Sequence, residues 1–167
     1  MLQLIMEIQT MQPHHWYEVK KIYEEGIATG NATFETKAPE WSDWDAAHLA
    51  HTRFVAIENN EVFGWAALTP VSGRCVYAGV AEVSVYVSAA ARGKGIGKKL
   101  LQALIDASEQ HNLWTLQAGI FPENIASIQI HKSFGFNIVG IRKKIGKMNG
   151  VWRDTVLLER RSEKIGV

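Results

Sequence analysis

The sequence predicts one α/β domain, built on a mixed β-sheet that carries helices on both faces. Its hydrophobic pattern gives the order strand, two helices, three strands, helix, strand, helix and two strands. Consecutive strands form antiparallel meanders, whereas strands that alternate with helices pair in parallel, so one sheet should contain both kinds of pairing. The 167 residues match one domain, and no Pro-, Gly- or Ser-rich linker divides them.

The first elements are a strand and two helices. Met6–Thr10 is predicted to be a short strand, and apolar residues at helical spacing follow Pro13 to about Glu25. Gly26 and Gly30 stand where this helix should end. A second helix is expected from a Ser42 N-cap to about Leu49.

The middle of the chain predicts a hairpin and a central strand. Arg53–Glu58 and Val62–Leu68 are strands joined by Asn59-Asn60-Glu61, a typical hairpin connection. Val71–Gly79 is a polar connection without any acidic residue. Val80–Val87 is rich in β-branched residues and is expected to be a central strand.

The last third alternates helix and strand before a final hairpin. The turn of that hairpin is Asn149-Gly150, a strong hairpin signal. The predicted elements are a helix with its apolar face from Ile96 to Ile105, strand Trp114–Phe121, helix Ile125–Phe134 and strands Asn137–Ile145 and Val151–Glu159.

Composition excludes several classes of protein. Hydrophobic residues make up 47% and charged residues 21%, which argues against disorder. The net charge of +1 lacks the basic excess of nucleic-acid-binding proteins. Cys75 is the single cysteine, so neither an intramolecular disulfide nor a CxxC metal site is expected. His48 and His51 have no third ligand at metal spacing, so no metal site is predicted.

No membrane or secretory segment is predicted. Met1–Met6 is apolar but short, and it lacks the basic start of a signal peptide. The longest uncharged apolar stretch, Val62–Ser72, is far shorter than the ~20 residues of a membrane helix. We expect a cytoplasmic protein without membrane or nucleic-acid partners.

The clearest motif is the glycine loop Arg92-Gly93-Lys94-Gly95-Ile96-Gly97, between a strand and a helix. Alternate glycines turn backbone N–H groups toward one point beside a helix N-terminus, which is where phosphates bind. The loop matches neither the P-loop pattern nor the dinucleotide fingerprint. The alternative is an ordinary glycine-rich turn with solvated lysines.

Further motifs carry a family resemblance. Val85-Tyr86-Val87 with the glycine loop, followed by Asn124-Ile-Ala-Ser127 and His131-Lys-Ser-Phe-Gly135-Phe136, resembles the acyl-CoA core of the GNAT N-acetyltransferases. Three other segments resemble the branch that acetylates phosphinothricin, methionine sulfoximine and arsinothricin. They are Ala32-Thr-Phe-Glu35, Ala81-Glu82-Val-Ser84 and the region from Ile145 through Trp152 to Asp154. The resemblance covers about residues 7–161 and implies the GNAT fold.

The resemblance implies a binding site for acetyl-CoA as acetyl donor. The pantetheine arm would pair with the central strand, and the diphosphate would lie on the glycine loop. Val85–Val87 could otherwise be plain core strand, and Asn124 an N-cap. The implied donor-binding residues are Val85, Tyr86, Val87, Arg92, Gly93, Lys94, Gly95, Ile96, Gly97, Asn124 and Ser127.

Two residues are candidates for catalysis. Glu82 lies in an otherwise apolar strand, where a carboxylate is costly unless it is paired or functional, and it occupies the position of the family's base. The alternative for Glu82 is a structural ion pair. His131 stands where many relatives carry a tyrosine that protonates the leaving thiolate, and it could equally be a packing histidine.

The implied substrate pocket contains Arg74, Phe34, Glu35 and Ser84. A guanidinium suits a substrate carboxylate, although Arg74 could also be a solvated loop residue. Phe34 could instead plug the core.

The resemblance thus implies an N-acetyltransferase of the resistance type, which acetylates the α-amine of a small amino-acid analogue by direct transfer. The alternatives are a GNAT enzyme for a polyamine, an aminoglycoside or a protein N-terminus, and a non-catalytic acyl-CoA-binding module. The lack of acids in Val71–Gly79 argues against polycationic substrates. The apolar C-terminal hairpin predicts a homodimer, because a sheet edge would otherwise expose it.

Overall fold

The computed structural model describes residues 6–167, so residues 1–5 of the predicted 1–167 domain lie outside the described residues. Within the described range, seven strands form one sheet in the order β1-β2-β3-β4-β5-β7-β6. The strands are β1 (Glu7–Thr10), β2 (Arg53–Glu58), β3 (Glu61–Pro70), β4 (Val80–Val87), β5 (Thr115–Ile120), β6 (Asn137–Met148) and β7 (Val151–Arg161). The α-helices are α1 (Trp16–Ala28), α2 (Trp41–Ala47), α3 (Ile96–Gln110) and α4 (Ile125–Ser133).

The sheet is mixed, as the sequence predicts. β4 and β5 pair in parallel, whereas β1–β4 form an antiparallel meander and β5, β7 and β6 pair antiparallel. None of the helices in residues 6–167 is long and apolar enough to cross a bilayer.

Helices cover both faces of the sheet because the strand residues alternate. On β3, Trp65 packs into a cluster with residues of α1 and α2, whereas the neighbouring Ala66 packs into a second cluster with α3. On β2, Val55 and Ala56 divide in the same way. Both clusters are buried, so the predicted two-faced architecture is confirmed.

Helix α1 ends later than the glycine at position 26 suggests. Gly26 lies inside the helix, and a Cβ there would be 2.6 Å from the Tyr86 ring, so the glycine allows close packing of the helix on β4. Gly30 has a left-handed φ of +71°, and its N–H donates to the Ile27 carbonyl at 3.0 Å. Gly30 therefore follows the helix end, as predicted, and Gly26 does not.

The N-cap of helix α2 is Glu40 and not the predicted Ser42, which lies inside the helix, and the helix ends two residues before Leu49. The buried guanidinium of Arg53 explains the early end. It donates to the carbonyls of His48 at 2.6 Å and Leu49 at 3.0 Å, and it forms an ion pair with Asp45. These carbonyls are bonded outside the helix, so the chain leaves it there.

The C-terminal hairpin is longer than predicted on both strands. β6 runs beyond Ile145 because the strand contains a bulge between Arg142 and Gly146 rather than an end. Within the bulge Lys144 has a φ of +47°, and its N–H donates to Asp154 Oδ1 at 2.7 Å. The bulge interrupts the alternation on which a sequence-based boundary depends.

The sheet opens between β4 and β5. Their parallel pairing ends at Glu82 and Gln117. Beyond this point β4 stays paired with β3, and β5 with β7. In the described structure, residues 83–87 of β4 have no strand partner on the β5 side. This split positions the candidate site.

Candidate active site

Two cavities meet at the split between β4 and β5. The smaller has a volume of about 300 Å³ and the larger of about 670 Å³. Because they share lining residues, they form one continuous cleft. The shared residues are Ala32, Val85, Tyr86, Asn124, Ser127 and His131.

The glycine loop forms one end of the larger cavity. Gly93 and Gly95 have φ values of +78° and +79°, and no atom lies within 4 Å of a Cβ built on either. Helix α3 begins at Ile96, so its first N–H groups have no partner within the helix. Together with the side chains of Arg92 and Lys98, which also line the cavity, these donors could hold an anion such as a diphosphate.

The unpaired edge of β4 forms the wall of the larger cavity. Val85, Tyr86 and Val87 line it, and their backbone groups on the β5 side are available to an extended polar ligand. Their side chains also belong to the core. Val85 and Val87 pack toward α3, while the Tyr86 ring stacks on Trp65 at 4.7 Å. Burial raises the pKa of Tyr86 well above its usual range. The triplet is therefore both core strand and cavity wall.

Glu82 is the ionisable carboxylate of the smaller cavity. Its side chain is half-buried, and in residues 6–167 the carboxylate makes no ion pair or hydrogen bond. The alternative of a structural ion pair thus finds no partner among the described side chains. The hydroxyl-bearing residues that line the cavity with Glu82 are Thr33, Thr69, Ser84, Ser127 and Thr155. Such a site can accept a cationic amine and hydrogen-bond its substituents.

Asn124 caps helix α4 and also faces the cleft. Its Oδ1 accepts the Ser127 N–H at 3.3 Å, and its Nδ2 donates to the Asn31 carbonyl at 3.4 Å. The capping role and the position in the cleft wall therefore coexist.

His131 is buried on α4 with one ring nitrogen bonded. Nδ1 lies 2.7 Å from the Ser127 carbonyl oxygen and must carry a proton to donate to it. Nε2 is buried without a partner in the described structure. Burial lowers the pKa of His131, so the neutral ring presents Nε2 as an acceptor. Action as an acid would first require protonation of this buried ring.

Arg153 on β7 joins the two loops at the mouth of the cleft. Its guanidinium donates to the Gly30 carbonyl and to Asn31 Oδ1, both at 2.9 Å, and forms an ion pair with Glu123 at 3.3 Å. It also lies 4.0 Å from the centroid of the Phe121 ring. One side chain thus fixes the loop after α1 to the loop after β5.

Phe34 and Ser84 line the smaller cavity, as predicted for substrate-binding residues. The Phe34 ring meets Phe121 edge to face at 4.8 Å. It also occupies the space beside Gly146, where a Cβ would lie 2.8 Å from the ring. Phe34 therefore packs against both β5 and the C-terminal hairpin while facing the cavity.

Three predicted site residues line neither cavity. Arg74 lies on the exposed loop before β4, and its guanidinium is 5.5 Å from the Tyr77 ring. Glu35 and Lys94 are also exposed. Their proposed contacts with ligands remain predictions.

Residues 13–136 match the family described as acetyltransferase (GNAT). The chain belongs to the GNAT family. Acetyl-CoA is its acetyl donor, and the glycine cradle and the free edge of β4 fit a diphosphate and an extended arm.

This GNAT chain is similar to three acetyltransferases with named acceptors. It is 37% identical over 103 residues to the phosphinothricin N-acetyltransferase of Streptomyces coelicolor, covering 62% of this chain and 60% of that protein. It is 34% identical to the L-methionine sulfoximine/L-methionine sulfone acetyltransferase of Salmonella typhimurium, covering 66% and 65%. The crystal structure of a GNAT superfamily phosphinothricin acetyltransferase from Sinorhizobium meliloti with AcCoA superposes with a TM-score of 0.86. In that case identity is 28%, and 96% of this chain and 90% of that chain are covered.

Several residues of the GNAT cleft escaped sequence reasoning. Gly119 and Phe121 could have been found, because ligands bind beyond the carboxyl ends of parallel strands. Gly119 lies near the end of β5, and Phe121 directly follows the strand. Thr69 faces Glu82 only through the β3–β4 register, and Thr155 comes from β7. No local signal marks these two threonines.

Proposed function

We propose that this GNAT enzyme acetylates the α-amine of a small amino-acid analogue of the phosphinothricin, methionine sulfoximine or arsinothricin type by direct transfer. The observation that carries the proposal is the unpaired Glu82 carboxylate in a small cavity that opens into the donor cavity. The names of relatives at 34–37% identity support the class of acceptor.

The donor is held by the backbone rather than by specific side chains. Acetyl-CoA supplies an activated thioester carbonyl. N–H groups of the glycine loop and of the start of α3 bind its diphosphate, and the free edge of β4 orients its arm. Asn124 and Ser127, which line both cavities, lie where the donor and acceptor sites meet.

Glu82 prepares the amine. An amino acid enters as an ammonium ion, which is attracted to the carboxylate in a partly dehydrated cavity. Glu82 accepts the ammonium proton, directly or through one water, and leaves the nitrogen lone pair free to attack the thioester carbonyl carbon. The C–N bond forms, the C–S bond breaks, and the departing CoA thiolate takes up the second proton that the nitrogen loses. Holding both partners in the cleft makes this attack effectively unimolecular. His131 lines both cavities and is the candidate acid for the leaving thiolate, a role for which its buried ring must first take up a proton.

A panel of amines, followed by release of free CoA, tests the function. We expect turnover with amino-acid analogues and little with polyamines or aminoglycosides, because one carboxylate offers a single cation site. Turnover confined to peptides that begin with a small residue would favour the protein N-terminus alternative. Absence of turnover with every amine would favour an acyl-CoA-binding module.

Glu82→Gln tests the base. The variant keeps the shape of the side chain but cannot take the proton, so turnover should fall by about 10²-fold or more. Acetyl-CoA affinity, measured by calorimetry, should stay unchanged. Glu159→Gln, an exposed glutamate on β7 outside both cavities, is the matched control. Equal turnover in the two variants would exclude Glu82 as the base.

We also propose that the enzyme is a homodimer through the C-terminal hairpin. β6 is an edge strand, and several large apolar side chains of the hairpin are between 44% and 58% exposed. They are Ile138, Val139, Ile141, Ile145, Val151 and Trp152. Light scattering should give twice the mass of the 18.7 kDa chain, and Ile141→Lys should shift it toward the monomer. A monomeric mass for the unmodified enzyme would contradict the proposal.

A further inference from the structure

Gly119 is a glycine for which the fold supplies no reason. It lies inside β5, where it pairs with Leu157 of β7, and its φ is outside the left-handed region. A glycine in a strand interior weakens the strand, and it commonly marks a place where a ligand approaches closely.

The space beside Gly119 belongs to the smaller cavity. A Cβ at this position would lie 3.4 Å from Glu82 Oε1 and within 4 Å of no other atom. Glu82 pairs with Gln117, two residues before Gly119, so the missing side chain would point to the same face as the carboxylate. The absent side chain therefore leaves free space directly over Glu82.

Two other strand glycines, Gly64 and Gly146, have packing reasons, and a third, Gly140, has open space but lines neither cavity. A Cβ at Gly64 would lie 2.9 Å from Leu100, and a Cβ at Gly146 would lie 2.8 Å from Phe34. Neither residue could be replaced without displacing a neighbour. Gly119 faces an open cavity and a single carboxylate oxygen instead.

We propose that Gly119 is a specificity-determining residue that keeps open the subsite for the amine-bearing carbon of the acceptor. The ammonium lies against Glu82, and the substituents on its carbon fill the space that a side chain at position 119 would occupy. This inference rests on the proposed function, because it takes Glu82 as the place where the amine binds. The acceptor class is then an α-substituted amine rather than an unbranched one.

The test compares Gly119→Ala and Gly119→Val with Gly140→Ala. Gly140 is the matched control: it lies in β6, its φ is not left-handed, no atom lies within 4 Å of its Cβ position, and it lines neither cavity. Three quantities are measured for each variant: kcat/KM for glycine and for α-substituted amino acids, the acetyl-CoA dissociation constant, and the thermal unfolding midpoint.

We expect Gly119→Ala to lower kcat/KM for α-substituted acceptors roughly 10-fold or more, since one methyl group in a fitted pocket has this effect. The kcat/KM for free glycine as acceptor should fall less. Gly119→Val should lower kcat/KM more than Gly119→Ala does, both for glycine and for α-substituted acceptors. Acetyl-CoA affinity should not change, and the unfolding midpoint of Gly119→Ala should equal or exceed that of the unmodified enzyme. Gly140→Ala should keep its kcat/KM.

Two results would overturn the inference: an unchanged ratio of kcat/KM values between substituted and unsubstituted acceptors in Gly119→Ala, or an equal loss of acetyl-CoA affinity. Turnover of the unmodified enzyme decides the proposed function separately. If that enzyme prefers amines of another class, the ratio of kcat/KM values between substituted and unsubstituted acceptors is measured with those amines. An unchanged ratio in Gly119→Ala would again overturn the inference. If it acetylates no amine, both proposals are wrong.

Discussion

At the scale of single residues, some residues of the cleft can be predicted from the sequence and others cannot. Glu82 is visible because a carboxylate in an apolar strand needs a reason, and the glycine loop is visible through its spacing. Arg153 is hidden, because an arginine on an amphipathic strand is ordinary and two of its partners, Gly30 and Asn31, lie more than a hundred residues away in the chain. Long-range contacts of this kind follow from topology and not from local pattern.

Arg153→Lys should loosen the mouth of the cleft. Lysine keeps the charge but loses the fork that donates to Gly30 and Asn31 together. Hydrogen bonds of a charged group are each worth about 1.5–3 kcal/mol, so we expect kcat/KM for the acceptor to fall about 10-fold or more. KM should carry most of the loss, because the Phe121 wall moves and Glu82 does not.

Arg161→Lys is the control for Arg153→Lys. Arg161 lies on the same strand and also donates to backbone carbonyls, including that of Ser162 at 2.8 Å. None of its partners lines a cavity, whereas Asn31 and Glu123, which Arg153 binds, line the larger one. Both variants should lower the unfolding midpoint. Only Arg153→Lys should raise KM for the acceptor. Equal KM values in the two variants would show that Arg153 has a purely structural role.

At the scale of elements, the sequence predicts the order and type of helices and strands well, and their ends less well. The ends of α1 and β6 differ from the prediction for two reasons. Gly26 serves packing against Tyr86, and a bulge stabilised by Asp154 interrupts the alternation of β6. In both cases a contact with a distant strand overrides the local signal.

Gly97→Val tests the donor site of the loop and α3. The φ of Gly97 is outside the left-handed region, so valine brings no backbone strain, and a Cβ there has ordinary contacts of 3.7 Å with Ile130 and Val87. The larger side chain would project into the donor cavity that Gly97 lines. We expect acetyl-CoA affinity to fall at least about 10-fold, because the diphosphate loses its approach to the backbone. Calorimetry measures this directly.

Gly73→Val is the control for the donor site. Gly73 lies in an exposed loop, no atom lies within 4 Å of its Cβ position, and it lines neither cavity. Its substitution should leave acetyl-CoA affinity unchanged. Unchanged affinity in Gly97→Val as well would place the diphosphate elsewhere.

At the scale of the whole molecule, one break in the sheet creates the site. The split after Glu82 frees the edge of β4, opens the cavity toward β5 and brings α3 and α4 to the same cleft. The element order predicted a mixed sheet, but the register at which β4 and β5 separate depends on the whole arrangement of strands. This explains why motif residues could be predicted while the cavity that joins them could not.

Buried histidines should make the stability of the whole molecule depend on pH. Burial lowers the pKa values of His48 and His131 below the usual 6.5, and each ring is held by a bond from Nδ1 to a carbonyl, of Trp44 at 2.6 Å and of Ser127 at 2.7 Å. The unfolded chain therefore binds protons at a pH where the folded chain keeps both rings neutral. Stability is full above pH 6.5 and falls as the pH decreases toward the folded-state pKa values.

We expect the thermal unfolding midpoint to fall steadily from about pH 7.5 to about pH 5.5, the range in which histidine titrates. The carboxyls of Glu109 and Asp154 have pKa values below 4.5 and 3.8, so they contribute only at lower pH. His48→Gln and His131→Asn should each lower the midpoint at pH near 7.5 but flatten its dependence on pH, because neither amide takes up a proton. His51→Gln, at a histidine exposed on the surface, should keep the slope of the unmodified enzyme. A midpoint that rises as the pH decreases through this range would mean that the two buried rings are charged in the folded state.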